Sequence, residues 1–200
     1  MALVLIVFPF LHFCTWMLTT NAVDAYTDPL TRLTNRRGVE QYSQAMPFPS
    51  GAVAAVVIDI DDFKAVNDTY GHAVGDSVLV SIAAQLSIVA TRHFGPDRSI
   101  VARTGGEEFA IIGDATGAAD LAEAVRQAVH DNTQPQVTAS VGVATAPIGA
   151  TGGITALLRV ADAAMYSAKR GGGDSVAQAP QPTGRSESRA LRNPSPHPRY

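Results

Sequence analysis

Residues 52–60, with the sequence AVAAVVIDI, constrain the fold of this chain more than any other segment. They form a near-continuous apolar run that contains β-branched residues, and such a run is typical of a buried strand. A buried strand must be covered by other elements, because an exposed apolar surface of this size would be unfavourable. The run ends in Asp59, so the sequence predicts a carboxylate at the end of a central strand.

The segments on both sides of this strand predict one mixed α/β domain over residues 28–174. Residues 137–145 read as another strand, and short apolar runs flanking Gly105 and Gly106 predict a hairpin. Three stripes at helical spacing comprise Val78, Leu79, Ile82, Leu86 and Val89, then Leu121, Ala122, Val125 and Val129, and finally Leu158, Ala161, Met165 and Ala168. The order helix, strand, helix, hairpin, helix, strand, helix is satisfied by a sheet with helices packed on it.

Polar residues beside the stripes predict where two of these helices begin. We expect residues 61–76 to form a polar loop after the central strand, and Asp76 can cap a helix that starts at Ser77. Thr155 is expected to cap the last helix by the same kind of hydrogen bond to the backbone.

The amino-terminal segment 1–18, MALVLIVFPFLHFCTWML, has no charged side chain unless His12 is protonated. It is just long enough to cross a bilayer as a helix, and Trp16 suits a membrane interface. The alternatives are a buried or partner-facing helix, and a signal peptide that lacks the usual basic residues. The first arginines after the span are Arg32, Arg36 and Arg37. They predict a cytoplasmic domain on the inner (cytoplasmic) membrane.

The chain therefore divides into four predicted regions. A transmembrane or hydrophobic helix occupies 1–20, a linker 21–27 and the folded domain 28–176. The tail, 177–200, is rich in Pro, Ser and Arg with almost no apolar content, which predicts disorder because little apolar surface can be buried.

The bulk composition argues against several classes of protein. The formal net charge of −3 disfavours a nucleic-acid-binding protein, which usually has a basic face. Cys14 is the only cysteine, so a disulfide framework and a cysteine-based zinc site are excluded. At 46% hydrophobic residues the chain can bury a substantial core.

Two acidic turns carry the chemistry. Asp59 ends a buried strand, where ligands bind in open α/β folds, and the GGEE turn can bring Glu107 close to it if the hairpin lies alongside. Two neighbouring carboxylates repel each other unless a cation lies between them, and oxygen ligands suit Mg²⁺ when substrate phosphates complete its shell. Singly, Asp59 could be a helix cap and Glu107 a solvated turn charge. Together they favour a metal–phosphate site, with Gly105 and Gly106 allowing a close backbone approach.

The lysines show that a nucleotide would not be held by a phosphate-binding loop. The chain has only two, Lys64 and Lys169, and neither follows a glycine, so the G-x-x-x-x-G-K-[ST] pattern is absent.

Four ordered motifs resemble one known family. They are DPLTRLTNRRG from Asp28, DIDDFKAVNDTYGHAVGD from Asp59, RTGGEEF from Arg103 and ADAAMYSAKRGG ending at Gly172. The chain resembles a GGDEF-domain diguanylate cyclase in the variant whose signature reads Gly-Gly-Glu-Glu-Phe. The resemblance implies a palm-like nucleotidyl cyclase fold, with a central, mainly antiparallel sheet surrounded by helices.

The resemblance also implies an activity and a site. Such an enzyme condenses two GTP molecules into cyclic di-GMP and releases two pyrophosphates, with Mg²⁺ (or Mn²⁺) and two domains face to face as a homodimer. By position in the motifs, the metal ligands are Asp59, the Ile60 carbonyl and Glu107, which is also catalytic. Lys64 and Lys169 match basic residues near the phosphates. The guanine-reading residues are Asn67 and Asp76, with His72 in the same loop.

These implied roles are physically reasonable. Asp and Asn side chains that pair with guanine would reject adenine, because the wrong base would leave buried polar groups unpaired. One domain holds one GTP, so the product requires two domains in a twofold arrangement.

The chain departs from the family pattern in two motifs. Gly173 stands where the family usually has arginine, which removes a phosphate contact unless Arg170 reaches in. Pro96 and Ser99 occupy the ends of the usual Arg-x-x-Asp product-inhibition motif, so that site is expected to be lost. The alternative function is a catalytically weak or silent domain that binds GTP or a protein partner.

Overall fold

A computed structural model describes residues 24–180, so the predicted helix at 1–20 and residues 181–200 lie outside the described part. The strands are β1 Thr34–Asn35, β2 Ala52–Ile60, β3 Ile100–Arg103, β4 Glu108–Asp114, β5 Ala139–Pro147 and β6 Val176–Gln178. The helices are α1 Arg36–Ser43, α2 Phe63–Tyr70, α3 His72–Phe94, α4 Ala118–Asp131 and α5 Gly153–Arg170.

All six strands form one sheet in the order β1-β3-β4-β2-β5-β6. The predicted central strand, β2, pairs antiparallel with both β4 and β5, and β3 pairs antiparallel with β4. Only the short outer strands are parallel to their neighbours, β1 to β3 and β6 to β5. The mixed α/β fold with a mainly antiparallel sheet is therefore confirmed.

Side chains of β2 alternate between two cores, one on each face of the sheet. Ala54, Val56 and Ile58 belong to the larger core, which α2, α3 and α4 cover. Ala55 and Val57 belong to the smaller one, covered by α1 and α5. Because both faces are covered, the strand is apolar throughout rather than alternating.

One glycine sets how closely α5 approaches the sheet. A Cβ atom at Gly142 in β5 would overlap the backbone of Ala161 and Met165 in α5. The helix that ends at Lys169 and Arg170 is therefore in close backbone contact with the sheet.

The region predicted as a polar loop, residues 61–76, is instead mostly helical. Phe63 and Val66, three residues apart, are buried and anchor α2 to the larger core. Gly71, at φ 86°, joins α2 to α3, which begins at His72. Asp76 consequently lies inside α3 and does not cap a helix. The error arose because the outward side of this short helix is polar, which hides its apolar side in the sequence.

Thr155 is not a helix cap either. The helix α5 begins at Gly153, after Gly152 in the left-handed region with φ 88°, so Thr155 lies in its first turn. Its hydroxyl donates a hydrogen bond to Glu40 Oε1 of α1 at 3.0 Å and thus links two helices on one face of the sheet.

The last strand, β6, changes the predicted boundary of the carboxyl-terminal tail. The strand β6 extends the sheet to Gln178, so the predicted disordered tail begins too early. Backbone pairing with β5 orders residues that have little apolar surface.

Within 24–180, α3 is long and apolar enough to cross a membrane, with a mean hydropathy of 1.7. It packs against the larger core, which accounts for that composition.

Candidate active site

The end of β2 and the glycine turn lie side by side, as the sequence predicted. Asp59 lies opposite Glu108 in the antiparallel register of β2 and β4. The next backbone N–H, that of Ile60, donates to the carbonyl of Glu107 at 3.3 Å. Asp59 is buried, whereas Glu107 is half-buried. The hairpin therefore places three carboxylates at one end of the sheet.

Lys169 brings a cation to this acidic end. Its Nζ donates to Asp59 Oδ1 at 2.5 Å from the last turn of α5. Burial by itself would lower the pKa of Lys169. The hydrogen bond to Asp59 and the charges of Asp59, Asp61 and Glu107 outweigh that effect, so its pKa lies above its ordinary value. The carboxylates thus hold the ammonium of Lys169, whose side chain is 39% exposed, against the end of β2.

The same groups fit a magnesium ion, provided that a ligand completes its shell. The side chains of Asp59 and Glu107 and the carbonyl of Ile60 supply the oxygen ligands that Mg²⁺ prefers. Residues 24–180 contain no group of three or more His, Cys, Asp or Glu side chains placed to hold a metal ion. This donor set suits a metal that is shared with substrate phosphates rather than a closed protein cage.

The glycines of the turn have different surroundings. A Cβ atom at Gly105 would lie 2.6 Å from Glu108 Oε2, so a larger residue here would displace the end of the Glu108 side chain. A Cβ atom at Gly106 would meet nothing within 4 Å. A side chain at Gly105 would therefore contact Glu108, whereas one at Gly106 would enter open space.

The side chain of Arg103 hydrogen-bonds to this turn. Its guanidinium donates to the carbonyl of Gly106 at 2.7 and 3.1 Å and pairs with Asp28 Oδ1 at 3.2 Å. The pairing is largely buried, with 14% and 17% of the two side chains exposed. Burial alone would raise the pKa of Asp28, but hydrogen bonds from Thr31 and Arg103 lower it below its ordinary value.

Glu108 is a site residue to which the sequence reasoning assigned no role. Burial raises the pKa of its carboxyl, and the charges of Asp59, Asp162 and Glu107 add to the effect, while Arg36 opposes it. Side chains alternate between the two faces along a strand. If β2 and β4 had been assumed to pair with Asp59 opposite Glu108, the two side chains could have been predicted to lie together on one face.

The predicted guanine-reading residues come together on α2 and α3. The amide of Asn67 packs against Gly75, where a Cβ atom would overlap its Oδ1. Asp76 is the next residue along α3, and both Asp76 and His72 are exposed. Within residues 24–180, the side chains of these three polar residues make no hydrogen bond.

Lys64 is not brought to the acidic end. Its ammonium pairs with Asp68, one turn later in α2, at 2.9 Å, and 88% of its side chain is exposed. It makes no hydrogen bond or ion pair with Asp59, Glu107 or Lys169 in the described part of the chain.

The two departures from the family pattern occupy loops. Gly173 follows α5 at φ +76°, and a Cβ atom there would lie 2.9 Å from Asp61 Oδ2. Arg170 is exposed in the last turn of α5. Pro96 and Ser99 lie in the turn between α3 and β3.

Comparisons with known proteins agree with this arrangement. Residues 25–175 match the family described as "Diguanylate cyclase, GGDEF domain". The response regulator PleD of Caulobacter vibrioides is 38% identical over 168 residues, covering 76% of this chain and 36% of PleD. Several other matched relatives are covered over only 25% of their length.

Two solved structures are similar in fold. The coiled coil and GGDEF domain of DgcB from Caulobacter crescentus, in complex with c-di-GMP, has a TM-score of 0.72 and 30% identity, covering 89% of this chain and 98% of that one. The active GGEEF domain of a diguanylate cyclase from Vibrio cholerae has a TM-score of 0.58 and 29% identity, covering 73% and 92%. The match over 151 of 200 residues, together with the signature turn beside Asp59, shows that this chain belongs to the GGDEF domain family.

Proposed function

We propose that this chain is a diguanylate cyclase that condenses two GTP molecules into cyclic di-GMP and two pyrophosphates. One observation carries the proposal: the signature turn with Glu107, the buried Asp59 and the Lys169 ammonium lie together at one end of the sheet. A domain that had lost catalysis would be expected to lose these acids. The similar GGEEF domain from Vibrio cholerae is described as active.

Asp59, the Ile60 carbonyl and Glu107 would hold Mg²⁺, or Mn²⁺, together with the phosphates of GTP. The bound metal would polarise the α-phosphate and lower the pKa of the attacking 3′-hydroxyl. The ammonium of Lys169 already contacts the Asp59 carboxylate, so it can move to a phosphate oxygen when a metal ion binds that carboxylate instead. Lys64 is exposed and would have to change rotamer to reach the phosphates.

Each of the two condensations forms one bond and breaks one. The 3′-oxygen of one GTP bonds to the α-phosphorus of the other, the bond to the β-phosphate oxygen breaks, and pyrophosphate leaves. Glu107 would accept the proton of the 3′-hydroxyl. Lys169 offsets the negative charge that develops on the departing phosphates.

Guanine would be read on the other side of the site. Asp76 can accept the N1–H and N2–H₂ hydrogen bonds, Asn67 can meet N3 or N2, and His72 lies one turn before Asp76 in α3. These polar groups have no hydrogen-bond partner among residues 24–180, so they are available to a base.

Two further proposals concern assembly. Each domain supplies one GTP, so turnover needs a homodimer with the two sites facing each other. A membrane-spanning helix at 1–20, with the domain in the cytoplasm where GTP is present, would raise the local concentration of domains. A protein starting at Tyr26 should then be largely monomeric when dilute and poorly active, and fusion to a parallel coiled coil should restore activity.

The decisive experiment incubates the dimerised protein with GTP and Mg²⁺ and measures cyclic di-GMP by mass spectrometry. We expect product and pyrophosphate in a ratio of one to two. The competing function is a silent GTP-binding module, which Gly173 favours because the usual arginine is missing. GTP binding without any cyclic di-GMP would support the module and overturn the cyclase.

A further inference from the structure

Another acidic residue, Asp61, forms a hydrogen-bonded cluster beside the candidate metal site. Its carboxylate accepts hydrogen bonds from Thr138 Oγ1 at 2.7 Å, from Ser140 Oγ at 2.7 Å and from the backbone N–H of Asp174 at 2.8 Å. We call these four residues the Asp61 clasp. It joins three segments that lie far apart in the sequence: the end of β2, the start of β5 and the loop after α5.

The clasp lies next to the groups that face the metal. The N–H of Asp61 donates to the carbonyl of Thr138 at 2.9 Å, which extends the pairing of β2 and β5 beyond Ile60. Ser140 is fully buried and lies opposite Asp59 in the register of the two strands. The clasp therefore determines where β2 ends relative to β5.

The loop after α5 is held from two sides. On one side Asp61 binds the backbone of Asp174, and on the other Arg126 of α4 pairs with the Asp174 carboxylate at 2.5 Å. Gly173 fits against Asp61 only because it has no side chain, as a Cβ atom would lie 2.9–3.1 Å from the Asp61 carboxylate. Lys169 lies only five residues before Asp174, so the same contacts determine where α5 ends.

We propose that Asp61 is a positioning residue: through the clasp it holds the end of β2 and the end of α5 together, so that Asp59 and Lys169 face the same metal–phosphate position. The proposal rests on the proposed function, because it assigns Asp61 a part in that site. Both carboxylate oxygens of Asp61 already accept hydrogen bonds, and the proposal gives Asp61 the role of holding the metal ligands in place rather than that of a ligand.

The test compares Asp61→Ala with Asp61→Asn in the full chain. The amide of asparagine can preserve the clasp, since its oxygen can accept from Thr138 and Asp174 while its NH₂ donates to the Ser140 hydroxyl. A metal carboxylate would not tolerate that change. Asp62→Asn is the matched control, because Asp62 is exposed, makes no side-chain cap hydrogen bond and has φ 50°, a conformation that asparagine tolerates.

Two measurements apply to all three variants. Hydrogen exchange of residues 171–175 in nucleotide-free protein should be about tenfold faster in Asp61→Ala and near wild type in Asp61→Asn. The kcat for cyclic di-GMP should fall by about 100-fold in Asp61→Ala, since a misplacement of about 1 Å has such an effect, while the KM for GTP changes little. The kcat of Asp61→Asn should stay within about fivefold of wild type and that of Asp62→Asn should be unchanged.

Two outcomes would overturn the proposal. If Asp61→Asn is as inactive as Asp61→Ala while hydrogen exchange is unchanged, Asp61 is a metal ligand. If Asp61→Ala lowers the unfolding midpoint but not the kcat of the folded protein, its role is structural only. Wild-type protein that makes no cyclic di-GMP overturns the proposed function instead; the clasp is then judged by exchange and by the affinity for Mn²⁺ with GTP, which Asp61→Ala must weaken at least tenfold.

Discussion

The two halves of the candidate site differ in how completely they are built without a ligand. The metal-facing half, around Asp59, Asp61 and Lys169, is buried or hydrogen-bonded to several strands and helices. The base-facing half, around Asn67 and Asp76, is open and makes no side-chain hydrogen bonds within residues 24–180. The first half is therefore part of the fold as well as the site, and mutations in the second half should affect function alone.

The largest expected effect tests the metal-facing half. Glu107→Gln should lower the turnover of GTP by about 10²–10³-fold, because one charge of the metal-binding set is removed. Glu107 makes no side-chain hydrogen bond within residues 24–180, so the melting temperature should not change. An exposed carboxylate on α4, altered in Asp120→Asn, is the control. Retention of most turnover in Glu107→Gln would contradict the assignment.

The base-facing half should respond through GTP affinity alone. Removing one guanine partner, in Asn67→Ala or Asp76→Ala, should raise the KM for GTP by about 5–150-fold, the equivalent of about 1–3 kcal/mol. Melting temperatures should stay within experimental error, since these side chains support no other contact by hydrogen bonds. Ser77→Ala, next to Asp76, is the control. If Asp76→Ala turns over GTP as well as the wild-type protein does, guanine is recognised by other residues.

Alanine substitutions at Gly105 and Gly106 compare a position where a side chain would contact Glu108 with one where it would enter open space. Gly105→Ala should lower the free energy of unfolding by about 1 kcal/mol, because its Cβ atom would displace the Glu108 carboxylate. Gly106→Ala should leave it unchanged or raise it by a few tenths of a kcal/mol, since the unfolded chain loses freedom. Urea unfolding measures both. Equal destabilisation by the two changes would show that backbone conformation, not packing, requires the glycines.

A smaller effect concerns the negative charge of Glu108, which we expect to destabilise the metal-facing half. The pKa of Glu108 is raised, so ionising it costs stability as the pH rises through its ordinary value near 4.5. Glu108→Gln should therefore increase the free energy of unfolding by a few tenths of a kcal/mol at pH 7 and have no effect at pH 3, where the carboxyl is already protonated. Denaturation curves at the two pH values check this, and a stability loss at pH 7 would contradict it.

The smallest effect concerns Lys64, which belongs to neither half in this structure. Its exposed pair with Asp68 should contribute at most about 0.5 kcal/mol, so Lys64→Ala should barely change stability. If Lys64 reaches the phosphates during turnover, kcat will still fall. Unchanged kcat would remove Lys64 from the proposed catalytic residues.

Long and strongly periodic segments were predicted well from the sequence. The strand β2 follows from its continuous apolar run, the hairpin from the short apolar runs that flank Gly105 and Gly106, and the helices α3, α4 and α5 from stripes at helical spacing. The hairpin was correctly expected beside Asp59. The strands β1 and β6 are only two and three residues long, too short to show any periodicity.

The parts of the site that the sequence missed depend on contacts between distant residues. Asp61 binds Thr138 and Ser140, which lie 77 and 79 positions away. Arg103 binds Asp28 across 75 positions. No spacing rule relates such pairs, because the register of strands that are not neighbours in the chain decides them.

The ion pair between Asp28 and Arg103 also has a mechanical consequence. The backbone of Arg103 belongs to β3, and its guanidinium donates to the Gly106 carbonyl, so the segment at Asp28 is linked to the turn that carries Glu107. A displacement of the segment at residue 28 would therefore strain the contacts that Arg103 makes with the signature turn.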